Sequence, residues 1–274
     1  MAHHCYFNGT LLPADETRIH ITDLGLLRGY GLFDYFRTYN GKPFQWDWYW
    51  ERYTTSAQLL GIPNPLEKDQ ARSIVQQLIE MSGLEDCAIR FVLTGGYAAD
   101  SISMTTPNIL IISEDIHPVA EPEYQTGIKV LTYEFVRDIP TIKSIDYKHL
   151  MILQPRLKEA GASDVLFHHE GRISELSRSN VFIVQNGKLI TPHRDILYGI
   201  TRKTVVSLAA GWLEVIERDV TLEECLTADE VFTTSTTKRV LPITRIDDHV
   251  IGQGTIGPVT QTLLDKINSM VAQW

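Results

Sequence analysis

Several things are scarce in this sequence, and each scarcity narrows what the chain can be. Cysteine occurs three times in 274 residues, at Cys5, Cys87 and Cys225. The three are far apart and odd in number, so they make neither a disulfide framework nor a CxxC metal knuckle. They read as small buried hydrophobes of a reducing compartment. No apolar run approaches the roughly 20 residues that a membrane helix needs. The opening Met1-Ala2-His3-His4-Cys5 lacks the basic-then-apolar pattern of a secretion signal. A cytoplasmic chain with no membrane partner is the expectation. Basic charge is also short: 25 Lys and Arg face 34 Asp and Glu, a formal −9. A nucleic-acid partner is not expected, because counterion release needs a basic surface.

Other signatures fail on spacing. His168-His169-Glu170 and His3-His4 are adjacent pairs, not the i, i+4 pairs of helical zinc ligands, so no metal site is expected. Ser177 and Ser179 lie in no GxSxG elbow. Gly252 to Gly257 spells GxGxxG, yet it stands before a terminal helix with no βαβ unit behind it, and it reads as a turn. There is no internal repeat and no low-complexity tract.

What is present is a core-forming chain. Apolar residues make up 43%, and the length suits one large domain or two modest ones. Asn8-Gly9 between short apolar runs signals a hairpin, and Asn40-Gly41 after Gly31–Tyr39 signals another. Helices are predicted over 48–60, 68–81, 147–160, 201–210 and 257–271, with Val259, Leu263 and Ile267 on the buried face of the last. Strands are predicted over 88–93, 108–113, 128–132, 164–168, 181–185, 188–191 and 231–234. The polar, proline-bearing stretch around 118–127 reads as a linker. That gives a small N-terminal domain, 1–117, and a large C-terminal one, 128–274, in an α+β protein.

Four segments carry chemistry-bearing residues. Lys143 follows a strand end in DIPTIKSIDYKH; by spacing alone it reads as an exposed lysine. RISELSRSNVF holds Glu175 in a small polar cluster before an apolar strand. LYGITR leads a glycine into a helix start, where exposed N–H groups suit a phosphate. TTSTT is a run of hydroxyls after a strand. With GLFDYFRTYNG and WERYTTSAQLLGI upstream and GPVTQ at the end, their order resembles the class IV (fold type IV) pyridoxal-phosphate aminotransferases over nearly the whole chain. This family holds branched-chain aminotransferases, D-amino-acid aminotransferases and aminodeoxychorismate lyase.

The resemblance implies two α/β domains of the D-amino-acid aminotransferase type, with the larger one binding pyridoxal 5'-phosphate. It implies Lys143 as the Schiff-base lysine and proton shuttle. Glu175 would face the pyridine nitrogen and keep it protonated. Arg52, the backbone of Ile200 and Thr201, and the Thr236 hydroxyl would hold the phosphate. Leu197 would pack on the ring, and Tyr147 lies near the tyrosine that branched-chain members set on the phenolic oxygen, one residue closer to the lysine. Family members are homodimers, and LGLLRGYG, with Arg28, is the segment that reaches the neighbouring subunit's site.

KSI, TSTT and the length resemble the D-amino-acid branch. The Arg-x-His carboxylate clamp of that branch is absent from Thr94–Asp100, and Phe33 stands where its tyrosine would be. Arg28 and Arg90 are then the candidates for the substrate carboxylate, because a guanidinium fork binds one bidentately. Phe33 and Thr237 complete the substrate side. The expected reaction moves an amino group between a D-amino acid (D-alanine or D-glutamate) and a 2-oxo acid such as 2-oxoglutarate. The alternatives are a branched-chain L-aminotransferase, an aminodeoxychorismate lyase and an (R)-amine transaminase. Arg178, in place of a small residue, has no assigned role.

Overall fold

Asn8 and Gly9, both at positive φ, close the hairpin between β1 (Ala2–Phe7) and β2 (Thr10–Pro13). The computed structural model describes residues 2–274. Next come a short helix α1 (Leu24–Arg28), β3 (Gly31–Tyr39) and β4 (Lys42–Pro43), the two strands joined at Asn40-Gly41. Helices α2 (Trp46–Leu60) and α3 (Lys68–Ser82) follow, both ended by a left-handed glycine, then β5 (Ala88–Thr94) and β6 (Asn108–Glu114). All six strands pair antiparallel in the order β2-β1-β6-β5-β3-β4. Strict alternation gives the sheet two faces. Leu32, Asp34, Phe36, Ile89, Phe91, Leu93, Ile109 and Ile111 are buried toward α2 and α3. Phe33, Tyr35, Arg37, Arg90, Val92, Ile112 and Glu114 lie half-exposed on the other.

The second unit begins with a one-turn helix, α4 (Glu123–Thr126), inside the stretch read from sequence as a linker; it packs against the strand labelled β15 below. The chain continues through β7 (Ile128–Glu134), α5 (Lys148–Ala160), β8 (Asp164–His169), β9 (Arg172–Leu176), β10 (Ser179–Gln185) and β11 (Lys188–Thr191). Then follow α6 (Ile200–Ala209), β12 (Glu214–Glu217), β13 (Val220–Thr221), α7 (Leu222–Leu226), β14 (Glu230–Ser235), β15 (Arg239–Ile246), β16 (His249–Val250) and α8 (Pro258–Ala272). Strands pair in the order β12-β11-β10-β14-β15-β7-β8-β9-β13, and β9 also pairs with β10. Six strands, β10-β14-β15-β7-β8-β9, therefore close on themselves, which removes their free edges. Helix α6 covers β14, and α8 covers β14 and β15. On α8 the buried residues are Thr260, Leu263, Leu264, Ile267 and Val271. Val259 is half-exposed, because Thr260 is the residue in phase with Leu263, Leu264, Ile267 and Val271, and Val259 falls at the edge of that stripe.

The first unit comprises residues up to His117 together with 142–146 and 274; the second comprises 118–141 and 147–273. Cys5, Cys87 and Cys225 are all free and buried. Burial, and then the Glu224 charge, push the Cys225 thiol up to about 12.

Candidate active site

In the first unit, residues 142–146 run beside the start of β3. The Phe33 N–H donates to the Lys143 carbonyl at 2.9 Å, the Ile145 N–H donates to the Gly31 carbonyl at 3.2 Å, and Leu32 bridges Ser144. Gly31 makes this approach feasible: a Cβ there would lie 2.8 Å from the Leu93 carbonyl and 3.0 Å from Ile145 Cδ1. Buried Ile142 anchors the segment. Lys143 then projects its ammonium over the Phe33 ring, 4.6 Å from the centroid. The same ring has the Arg90 guanidinium 5.6 Å away, and Tyr35 has it at 4.9 Å. Two cations thus lie near one aromatic ring, each attracted by the ring quadrupole. Glu114 takes one edge of the Arg90 fork, with Nε donating at 2.5 Å and Nη2 at 2.8 Å. Burial, and then the Glu114 charge, raise the Tyr35 hydroxyl, so it stays protonated at neutral pH.

The structure brings Lys143, Phe33 and Arg90 together, and it sets Arg52 on the opposite face of the sheet. Arg52 on α2 donates to the buried Asp34 carboxylate from Nε at 3.0 Å and from Nη2 at 2.5 Å. Arg28 ends α1 and is exposed; its Nη1 donates to the Leu27 carbonyl.

In the second unit the closed ring of strands lines up one row of the sheet. Glu175 on β9 stands opposite Asn180 on β10, and Asn180 stands opposite Thr234 on β14. Directly opposed residues share a face, so these three side chains lie on one side. Leu197 is tied to two of them: its N–H donates to Glu175 Oε2 at 3.0 Å, and its carbonyl accepts from Asn180 Nδ2 at 2.7 Å. Glu175, 4% exposed, also accepts from Arg137 Nε at 2.8 Å. Arg137 in turn donates to the Pro140 carbonyl.

Gly199, next along the chain, is the N-cap of α6, and no side chain caps that end. A Cβ at Gly199 would sit 2.1 Å from Asn180 Oδ1, so only glycine fits. The N–H groups of the first turn, where Ile200 and Thr201 lie, lack intrahelical partners by geometry. Thr234 Oγ1, fully buried in the same row, has no partner among the described residues. Thr236 and Thr237 follow on the turn after β14, where Ser235 Oγ lies 3.5 Å from Thr237 Oγ1 and accepts from the Lys238 N–H. Tyr147 stands at the N-cap of α5 and packs against the cluster of Leu131, Leu150, Leu153, Leu157, Val165 and Phe167. Arg178 is exposed on the tight turn between β9 and β10.

Two cations escape a reading of the sequence. Arg137 holds Glu175 from a loop 38 residues away, and no local pattern joins them. Lys238 donates to Asp164 Oδ2 at 2.8 Å and to Ser179 Oγ at 3.2 Å, while Ser177 donates to Asp164 Oδ1. Burial opposes the Asp164 charge, but the Lys238 ammonium, with hydrogen bonds from Lys238, Ser177 and the Val165 N–H, holds its carboxyl below the usual range.

The second unit's donors suit an anionic pyridine cofactor: a buried carboxylate at Glu175 for a ring nitrogen, and an uncapped helix start with an orphaned hydroxyl in the same row for a phosphate. The first unit presents an amine at Lys143, the group an aldehyde takes. Comparison with known proteins agrees. A family model described as "Amino-transferase class IV" matches residues 31–246. A Methanocaldococcus jannaschii protein, provisionally named a branched-chain-amino-acid aminotransferase, is 32% identical, with 98% of this chain and 96% of that one covered. The D-alanine aminotransferase of Bacillus licheniformis is 30% identical over 97% of this chain and 96% of its own. Among solved structures, a T.th. branched-chain amino acid aminotransferase with pyridoxamine 5'-phosphate superposes with a TM-score of 0.92 at 24% identity, covering 100% of this chain and 95% of that one. Family, fold and donor set agree: the chain belongs to the class IV aminotransferases, mixed α and β proteins of fold type IV that work with pyridoxal phosphate.

Proposed function

We propose that this aminotransferase moves an amino group between a D-amino acid of the D-alanine or D-glutamate kind and a 2-oxo acid such as 2-oxoglutarate. The observation that carries an amino acid, rather than a simple amine, is the Phe33 ring shared by the Lys143 ammonium and the Arg90 guanidinium. A group able to take and return a proton then has a carboxylate-binding fork for its neighbour. The D-amino-acid branch is supported by the KSI and TSTT segments and by the D-alanine aminotransferase relatives. A branched-chain L-amino acid is the second reading, favoured by Ala88-Ile89-Arg90 and by the M. jannaschii relative.

The roles divide between the units. From the first unit, Lys143 would supply the amine for the cofactor and move the substrate α-proton; Arg52, the phosphate candidate, lies on the other face of its sheet with its fork on Asp34, and would have to turn from that carboxylate to serve. Arg90 and Arg28 meet the substrate carboxylate, Arg28 in the site of a second copy, with Phe33 alongside. From the second unit, Glu175 would face the pyridine nitrogen and keep it protonated, with Arg137 orienting the carboxylate. Leu197 would pack on the ring, and Tyr147 is the candidate for its phenolic oxygen. The N–H groups of Ile200 and Thr201 and the Thr236 hydroxyl would hold the phosphate, and Thr237 would adjoin the substrate. When bound, the cofactor supplies the electron sink that stabilises negative charge at the substrate α-carbon. The active form is a homodimer in the cytoplasm; the three free, buried cysteines support a reducing compartment.

The test is the single-turnover half-reaction, followed by the cofactor's absorbance, with D-alanine, L-leucine and (R)-phenylethylamine in turn. D-alanine is expected to convert the enzyme and (R)-phenylethylamine is not. Conversion by L-leucine alone overturns the D-amino-acid reading.

A further inference from the structure

We infer that Glu114 is a positioning residue for substrate recognition: it orients Arg90 so that the outer edge of the guanidinium meets the substrate carboxylate. The inference rests on the reading of Arg90 as a carboxylate binder.

The argument starts from register. Tyr35 on β3, Arg90 on β5 and Ile112 on β6 stand side by side on the half-exposed face. Glu114 lies one same-face step beyond Ile112, directly opposite Ala88. Ala88 has no side chain beyond Cβ, so the space beside Glu114 lets its carboxylate reach diagonally to Arg90, a separation long side chains cross. The result is a side-on pair at 2.5 and 2.8 Å through Nε and Nη2. Such a pair fixes the last torsions of the arginine. A guanidinium has a second, end-on edge formed by its two Nη groups, and one planar fork can serve two carboxylates at once. The rings of Tyr35 and Phe33 lie near the guanidinium and limit its tilt.

The same Phe33 ring supports the Lys143 ammonium. A guanidinium held against that ring keeps a fixed relation to the amine that does the chemistry, whereas an untethered arginine samples many rotamers and must be ordered when substrate binds. That ordering would appear in KM and not in kcat, because it is completed before the proton moves.

The experiment compares Glu114→Ala, Glu114→Gln and Arg90→Ala in the holoenzyme. The readouts are KM and kcat for D-alanine and 2-oxoglutarate, and calorimetric Kd for propionate, a carboxylate with no amino group to transfer. Melting temperature reports folding. Glu114→Ala is expected to raise KM and the propionate Kd about tenfold, the worth of ordering one long side chain, with kcat within about twofold. Glu114→Gln keeps one acceptor and is expected to fall between it and the parent. If Arg90→Ala raises KM while both Glu114 variants leave KM and Kd unchanged, the positioning role is overturned and the carboxylate reading of Arg90 stands. If Arg90→Ala itself leaves both unchanged, the carboxylate reading fails and this inference with it. A fall in KM for Glu114→Ala also overturns it, since Glu114 would then be competing with substrate for Arg90.

Discussion

Lys238 shows what a single side chain does to a buried site. Asp164 is completely buried, and its charge is sustained by the Lys238 ammonium and by hydrogen bonds from Ser177 and the Val165 N–H. Lys238→Met should leave that carboxylate unpaired and cost about 3–5 kcal/mol at neutral pH, read from urea unfolding. Pairing Lys238→Met with Asp164→Asn should recover most of the loss, because an amide needs no counter-charge. The pH dependence has a definite sign. A carboxyl whose folded pKa lies below its unfolded value adds stability above the unfolded value, and that stability is lost as pH falls through the folded one. The advantage of the parent over the double variant should therefore shrink below about pH 4. An advantage that grows on acidification would contradict the pairing. Lys238 and Arg137 were illegible in the sequence for the same reason. Each acts across tens of residues, and nothing near a lysine or arginine in the chain tells a buried partner from water. Lys143 and Glu175 stand out as candidates only through the family resemblance, because each sits in a run that resembles the family's; spacing alone makes Lys143 an exposed lysine.

At the scale of elements, strong alternation and turn pairs were the readable signals. Gly31–Tyr39 is a strand over the range its β-formers suggest, and Asn40-Gly41 turns it. β15 carried a contrary signal, because Pro242 lies inside it. The strand tolerates the proline since its pairing with β7 begins only at Ile243, so the missing N–H breaks no bond on that side. β9 is absent from the predicted strands because Arg172–Leu176 is short and polar; its pairing on both sides, with β8 and β10, is what makes it a strand. Gly31→Ala tests how an element sets the site. Its Cβ would press on the Leu93 carbonyl and on Ile145, the residue two after Lys143. Overpacking of this kind should cost about 1–3 kcal/mol. Because it displaces 142–146 from β3, kcat should drop more than the stability change alone accounts for, with the folded fraction checked by circular dichroism. A destabilised variant with unchanged kcat would show that this strand contact does not set the lysine.

For the molecule as a whole, the formal charge of −9 says little about how anions are bound, since a few arginines act locally: Arg52 against Asp34, Arg90 against Glu114 and Arg137 against Glu175. Surface chemistry says more about assembly. Large apolar side chains are exposed on two segments of the first unit: Ile19, Ile21, Leu26 and Leu27 on one, Ile102 and Met104 on the other. The segments are stitched together, with the Ala98 N–H donating to the Thr22 carbonyl, the Leu24 N–H to the Gly96 carbonyl, and Asp23 bridging Tyr97. Apolar groups gathered in this way suit the association surface that the proposed homodimer needs. Arg28, the candidate for a second copy's site, closes the α1 helix that carries Leu26 and Leu27. Replacing Ile21 and Leu26 by Asp should therefore convert a dimer into monomers in light scattering after gel filtration. The same variant should raise KM for 2-oxoglutarate as Arg28→Ala should, because on this reading a monomer has no neighbour to lend the arginine. Raised KM in a variant that stays dimeric would separate Arg28 from assembly, and a parent enzyme that is monomeric yet fully active would remove the need for a second copy altogether.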